Sequence, residues 1–307
     1  MKFFLRIIYY IFSLLPDFLL YSLAKVLGLL LLHVFRFRRK IVIFNLNLVY
    51  GQGVWDKSLL KQIYFHFGLT AVELLQQPVR SSAKLLEKVS SKNDEIYRDA
   101  INAGKGVLIL TGHYANWEKC ILKVVEFGNP VSVVIKDVKG LEKGYFSETF
   151  RAPHKVICLE KDGRAMMSLF KALRRGETVA MVMDQNSKRS EACFVNFMGE
   201  LCSTYASPLL VAARTGATVV PTTAYRNEKM LSQTVQFHEA MSFSKDEAGE
   251  ESIQKNTQKV MDVLGQALYD HPAYWIWMHK RWKTRPLEEK SNGLKVDYSA
   301  TAPPTPK

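Results

Sequence analysis

Between residues 106 and 225, short continuous apolar runs alternate with stretches of helical periodicity, and this alternation constrains the fold more than any other feature of the chain. The runs are GVLIL (106–110), VSVVI (131–135), TVAMVM (178–183) and ATVVPTTAY (217–225). Helices are predicted from about Asn116, near 163–175 and near 206–215. Strands that are apolar on both faces must be covered on both faces, and strands separated by helices pair in parallel. The chain is therefore expected to be α/β, a mostly parallel central sheet flanked by helices, with its ligand groups at the strand C-termini. Residues 57–77 carry apolar side chains at helical spacing and stop before Pro78, residues 230–237 would add an edge strand, and 251–269 reads as a further helix.

Residues 1–35 are mostly apolar, with Lys2, Arg6, Asp17 and Lys25 as their only formal charges. Crossing a bilayer takes about 20 apolar residues. Pro16, Asp17 and Lys25 interrupt the stretch, which leaves a tilted, kinked helix or an interfacial helical hairpin. No small-residue cleavage site follows a short apolar core, so a retained anchor is expected, with a buried core helix as the alternative. The cluster Arg36, Arg38, Arg39 and Lys40 comes next and places the body on the cytoplasmic side by the positive-inside rule. The expected organisation is a membrane anchor with its basic juxtamembrane segment over 1–40, a folded body over 41–286, and a polar, Pro-rich disordered tail over 287–307.

Lys and Arg number 42 against 29 Asp and Glu, a net charge of +13, so the surface should attract nucleic acid, anionic lipid headgroups or acidic proteins. The four cysteines, Cys120, Cys158, Cys193 and Cys202, are sparse and form no C-x-x-C pair, which argues against a disulfide framework or cysteine-built zinc site and suits a reducing compartment. The chain has no G-x-S-x-G, G-x-x-x-x-G-K-[ST], H-E-x-x-H or G-x-G-x-x-G motif, and hydrolase, nucleotide and zinc chemistries recede accordingly.

Strand GVLIL runs into TGHYANWEK, which puts His113 in the turn and Glu118 at the start of the next helix. Within one helix residues five apart diverge by about 140°. The two can therefore meet only if the helix begins between them, with Asn116 as its N-cap. A carboxylate accepting from one imidazole nitrogen would fix the tautomer and raise the basicity of the other, as deprotonating a hydroxyl requires. The same spacing also fits a structural histidine. Asp184 and Gln185 follow TVAMVM and should share the rim with His113. Arg151 is placed to offer a bidentate donor to a phosphate or to Asp184, or to be a solvated surface charge. Cys120 reads as structural.

Taken together, the apolar N-terminus with its basic cluster, NLNLVYG, GHYANWE, an Arg before VICLE, MVMDQ, FVNFMGELCSTYASPLLVAARTGATVVP and YWIWMHKRWKTRP resemble the bacterial lipid A biosynthesis acyltransferase family, the late lauroyl and myristoyl-type transferases. The resemblance reaches Pro286. It implies a glycerolipid acyltransferase-like fold, with 41–286 as the acyltransferase domain of an inner-membrane protein. It implies His113 and Glu118 as the catalytic pair and Arg151 and Asp184 as further active-site residues. Gln185 and Asn116 are expected beside them as substrate-binding residues. The donor would be an acyl carrier protein or coenzyme A thioester and the acceptor a glycolipid hydroxyl at an anionic membrane surface. No metal or cofactor beyond that co-substrate is called for, and a monomer is expected. The runner-up acceptors are another glycolipid or a lysophospholipid. Trp275, Trp277 and Trp282, interleaved with His279, Lys280, Arg281, Lys283 and Arg285, suit a membrane interface. They also suit base stacking, and a membrane-tethered nucleic-acid-binding protein is the alternative of a different class.

Overall fold

The computed structural model describes residues 2–135, 144–160, 165–228, 231–287 and 298. The expected tail lies outside these apart from Leu287 and Tyr298, and the helix expected from 163 is described from Ala165. Among the described residues a seven-stranded sheet has the order β1-β9-β8-β2-β5-β3-β4. Its strands are β1 (Val89–Lys92), β2 (Val107–Thr111), β3 (Val131–Ile135), β4 (Val156–Glu160), β5 (Thr178–Val182), β8 (Thr218–Arg226) and β9 (Gln233–Phe237), while β6 (Ala192–Phe197) and β7 (Glu200–Tyr205) form a separate antiparallel hairpin. Strands β8, β2, β5, β3 and β4 are parallel, β9 is antiparallel to β8, and β1 is parallel to β9. Every residue of β2 is buried, which is why its sequence is continuously apolar rather than alternating.

The edge strand expected over 230–237 is found as β9, which is not an edge because β1 covers it; residue 230 lies outside the described residues. The sequence of β1, VSSK, is too short and polar to announce a strand. Met198 and Gly199 both have positive φ between β6 and β7, as a two-residue hairpin turn matched to the twist of its strands requires.

The N-terminal stretch forms two helices, α1 (Lys2–Leu14) and α2 (Asp17–Leu29), separated at Pro16, and α2 continues as a π-helical turn over Leu30–Val34. Leu20, Ala24, Gly28 and Leu32, spaced by four, are buried. They face α4 (Lys57–Leu74), and the backbones approach so closely that a Cβ at Gly68 would sit 2.7 Å from the Ala24 carbonyl oxygen. Phe3, Phe4, Ile7, Ile11 and Leu14 of α1 and Phe18, Leu23, Val26 and Val34 of α2 remain exposed. The segment Asp17–Val34 is long and apolar enough to cross a membrane.

Trp275, Trp277 and Trp282 are buried rather than at an interface. The indole of Trp277 donates to the Pro272 carbonyl (2.7 Å), and the carbonyls of Trp277 and His279 both accept from Asn45 Nδ2 at 2.8 Å. Asn45 lies on α3 (Arg39–Tyr50), so the NLNLVYG and YWIWMHKRW motifs answer to each other across the fold. Tyr298 is docked, its hydroxyl accepting from the Trp282 backbone N–H (3.1 Å) and its ring 4.5 Å from that of Phe44.

Candidate active site

The in-register pairing of Thr111 on β2 with Val182 on β5 brings the residues two positions beyond each strand end side by side, and these are His113 and Asp184. The Asp184 carboxylate accepts from the His113 backbone N–H (2.6 Å), from His113 Nδ1 (2.9 Å) and from Trp275 Nε1 (2.7 Å). A Cβ at Gly112 would lie 3.1 Å from the carboxylate carbon and closer still to the Tyr114 ring, so the close approach depends on glycine there. The turn is clamped from both sides. The Ala115 N–H donates to the Tyr274 carbonyl (2.7 Å), its carbonyl accepts from Thr70 Oγ1 (2.9 Å), and Ala115 itself has φ of +44°.

Burial pushes the His113 imidazole down, but the Asp184 carboxylate outweighs this and holds it above the ordinary 6.5. Burial likewise pushes Asp184 up, and the imidazole together with its hydrogen-bond donors reverses this and holds it far below the usual carboxylate range. With Nδ1 donating to Asp184, Nε2 is left as the acceptor. The Gln185 side-chain amide lies 3.3 Å from Nε2, and the Trp117 ring meets the imidazole edge-on at 4.9 Å.

The expected pairing of Glu118 with His113 is not made. Glu118 is buried at the start of α7 (Trp117–Glu126) and receives Arg151 Nη2 (2.7 Å) and Nε (3.0 Å) in a bidentate pair. Asp184 already lies in register beside the imidazole, and the guanidinium fork matches the Glu118 carboxylate better than a ring nitrogen would. Arg151 is consequently neither a solvated charge nor a partner of Asp184, and Asp184 is fully buried. Although burial opposes it, the Glu118 carboxylate holds the Arg151 guanidinium above its ordinary range.

Arg151 closes a π-turn, Ser147–Arg151, with its guanidinium 5.2 Å from the Phe146 ring centroid. Phe146 stacks on Phe150 at 4.5 Å, Tyr9 of α1 meets Phe150 edge-on at 5.7 Å, and the Tyr9 and Tyr145 hydroxyls are 3.1 Å apart. The N-terminal helix thus packs directly on the segment that carries Arg151.

Asn116, expected to bind substrate, is instead buried and used up. Its Oδ1 accepts from the Lys119 N–H (3.2 Å) as the N-cap of α7, and its Nδ2 donates to Glu73 (3.2 Å). Glu73 also receives Lys119 Nζ and Arg226 Nη2, both at 2.7 Å. Burial pushes its carboxyl up, yet these cations hold it at about 2. This ionic cluster braces the floor of the site. Its visible trace in the sequence is one carboxylate within the apolar run TAVELL, and the role of Trp275 had no comparable signal. The Cys120 thiol is pushed by burial up to about 12, which leaves it a packed side chain rather than a nucleophile.

Arranged this way, the strand ends present one imidazole nitrogen, oriented from behind by a buried carboxylate, next to an amide donor and a carboxylate-held guanidinium. A family profile described as bacterial lipid A biosynthesis acyltransferase matches residues 1–284. A curated lipid A biosynthesis acyltransferase of Haemophilus influenzae is 27% identical over 135 residues, covering 43% of this chain. The match spans 42% of that relative's own length. With its profile running from the first helix through the segment that carries Trp275, the chain belongs to the bacterial lipid A biosynthesis acyltransferase family.

Proposed function

We propose that the protein is a membrane-associated O-acyltransferase that moves a fatty acyl chain from an acyl carrier protein or coenzyme A thioester to a hydroxyl of a lipid A precursor. The observation that carries this reading is the His113–Asp184 pair, with Nδ1 committed to the carboxylate and Nε2 left as the acceptor. His113 Nε2 takes the proton of the acceptor hydroxyl as its oxygen attacks the thioester carbonyl. The C–O bond forms, the C–S bond breaks, and the imidazolium returns its proton to the departing thiolate. Asp184 stabilises the transient imidazolium and fixes the tautomer. In the resting site the Gln185 amide lies where an acceptor hydroxyl would donate to Nε2, so it is the side chain that the acceptor displaces. Arg151, held by Glu118, is the fixed positive group at the same rim.

The exposed apolar faces of α1 and α2 support attachment to a membrane, and the packing of α2 along α4 favours a helical pair lying in the interface over an isolated span. The basic cluster at 36–40 favours the cytoplasmic leaflet. An acidic carrier protein suits the net charge of +13.

Mass spectrometry of lipids from cells carrying wild-type protein, His113→Ala or no protein tests the reading. One additional acyl ester on a lipid A precursor is expected with wild type and neither with His113→Ala nor without the protein. An unchanged lipid A profile across all three contradicts it.

A further inference from the structure

We propose that Arg281 is a positioning residue of the acyl-transfer site: acting through the Gln185 carbonyl, its buried guanidinium fixes the segment Asp184, Gln185 and Asn186 opposite His113 and supplies the positive charge that opposes Asp184. The inference rests on the acyltransferase reading above and deepens it. Arg281 is fully buried, and among the described residues no carboxylate pairs with it. Its Nη1 donates to the carbonyls of Gln185 (2.8 Å) and Ser203 (2.5 Å), its Nη2 donates to Thr204 Oγ1 (2.5 Å), and the guanidinium lies 5.3 Å from the Phe197 ring centroid. A buried cation that meets only neutral acceptors is a costly way to tie a loop to a hairpin, because an apolar side chain would pack there without losing hydration. The neighbouring buried anion is Asp184, one residue before the carbonyl that Arg281 holds. When His113 is neutral, Asp184 has no cation in contact, since Arg151 is taken by Glu118.

The residues flanking Arg281 grip the same segment. The Asn186 N–H donates to His279 Nε2 (2.9 Å), its Nδ2 donates to Thr284 Oγ1 (3.0 Å), and its Oδ1 accepts from the Thr284 N–H (2.9 Å). Phe197 meets Trp275 edge-on at 5.7 Å, and the Trp275 indole donates to Asp184. The Gln185 backbone is thus held while its side chain is left to move off His113 Nε2 and return. Two titratable groups, Tyr114 and His279, feel Asp184 and Arg281 in opposite senses. Burial dominates at both, pushing the phenol well up and the imidazole down to about 4, and on each the carboxylate raises and the guanidinium lowers the proton affinity. His279 is therefore neutral near pH 7, and the charges acting on His113 from its own surroundings are Asp184, Glu118 and Arg151. The other titratable groups around Arg281 are the thiols of Cys193 and Cys202 and the Tyr298 phenol, all pushed up by burial, and Arg285 acts on the last two as well.

The test titrates full-length protein in uncharged detergent micelles by NMR with 15N-labelled histidine, the His113 signals being identified by their loss in His113→Ala. Arg281→Gln removes the charge and keeps an amide donor, whereas Arg281→Lys keeps the charge and loses the fork. With the field of Asp184 unopposed, His113 in Arg281→Gln is expected to titrate on the order of 0.5 pH unit above wild type, the direction opposite to that of Asp184→Asn, and the acid limb of the pH–rate profile should follow. Arg281→Lys should keep the wild-type midpoint. The plateau rate should fall on the order of tenfold in Arg281→Gln through misplacement of the segment, with partial recovery in Arg281→Lys. A folded Arg281→Gln protein whose His113 midpoint stays at the wild-type value overturns the proposal, as does an Arg281→Lys midpoint displaced as far as that of Arg281→Gln. Should Arg281→Gln not fold, Arg281→Lys decides: a wild-type midpoint with a reduced plateau rate supports the proposal, and the full wild-type rate overturns it. The NMR titration needs no turnover, so wild-type protein that transfers no acyl group would reject the acyltransferase reading while a raised Arg281→Gln midpoint still upheld the placement of Arg281.

Discussion

At the scale of single residues, the candidate site holds a buried His113–Asp184 pair whose two members are shifted in opposite senses. His113 is held above 6.5 and is a base only when neutral, so transfer should rise with pH through that raised value and level off beyond it. The pairing stabilises the fold fully below the unfolded histidine value, and that contribution is lost as pH rises through the folded one. The Asp184 contribution is present above the unfolded carboxylate value and disappears only as pH falls through its depressed folded value. Asp184→Asn removes the main influence that raises His113 while burial remains. Its pH–rate profile should therefore shift its acid limb to lower pH and lose plateau activity, and an unshifted limb would mean that Asp184 does not face the base. Glu118 and Arg151 form a second buried pair. Removing either partner leaves an uncompensated charge costing about 3–5 kcal/mol. A double-mutant cycle on melting temperature should show strong coupling between Glu118 and Arg151 and little between Arg151 and Asp184, and the reverse pattern would reject the geometry. In the sequence, His113, Asp184 and Gln185 were legible as occupants of one rim, and Arg151 joined them only through the family resemblance. Which carboxylate served which cation was not legible, because strand register decides it.

At the scale of elements, the strands that could be read from the sequence are β2, β3, β5 and β8, largely buried and therefore continuously apolar, together with β9 within the segment expected to be an edge. Those that escaped, β1, β4 and the hairpin β6–β7, are short, polar or half-exposed, and their pairing partners rather than their composition make them strands. Helix α1 has a consequence that its apolar character alone would not suggest. Through Tyr9 it buttresses Tyr145 and Phe150, and thereby the turn that ends in Arg151. Tyr9→Ala, assayed in detergent with a saturating acceptor, should reduce kcat on the order of tenfold through misplacement of that turn. Tyr9→Phe should retain most of the ring packing and most of the rate. Full kcat for Tyr9→Ala would show that α1 serves attachment alone.

At the scale of the whole molecule, a mostly parallel sheet gathers the candidate catalytic groups at one rim, while two N-terminal helices leave apolar faces exposed. In the proposed function, deprotonation by His113 and attachment through α1 and α2 are two demands to be met by this one arrangement. The central claim is that this single imidazole performs the acyl transfer. The most direct measurement reconstitutes full-length protein in vesicles with an acyl carrier protein thioester and a lipid A precursor, and follows thiol release and ester formation together. Wild type should produce one ester for each thiol released. His113→Ala, matched to wild type in circular dichroism and in vesicle binding, should be slower by about 10² to 10⁴. A His113→Ala protein that transfers at near the wild-type rate would contradict the account.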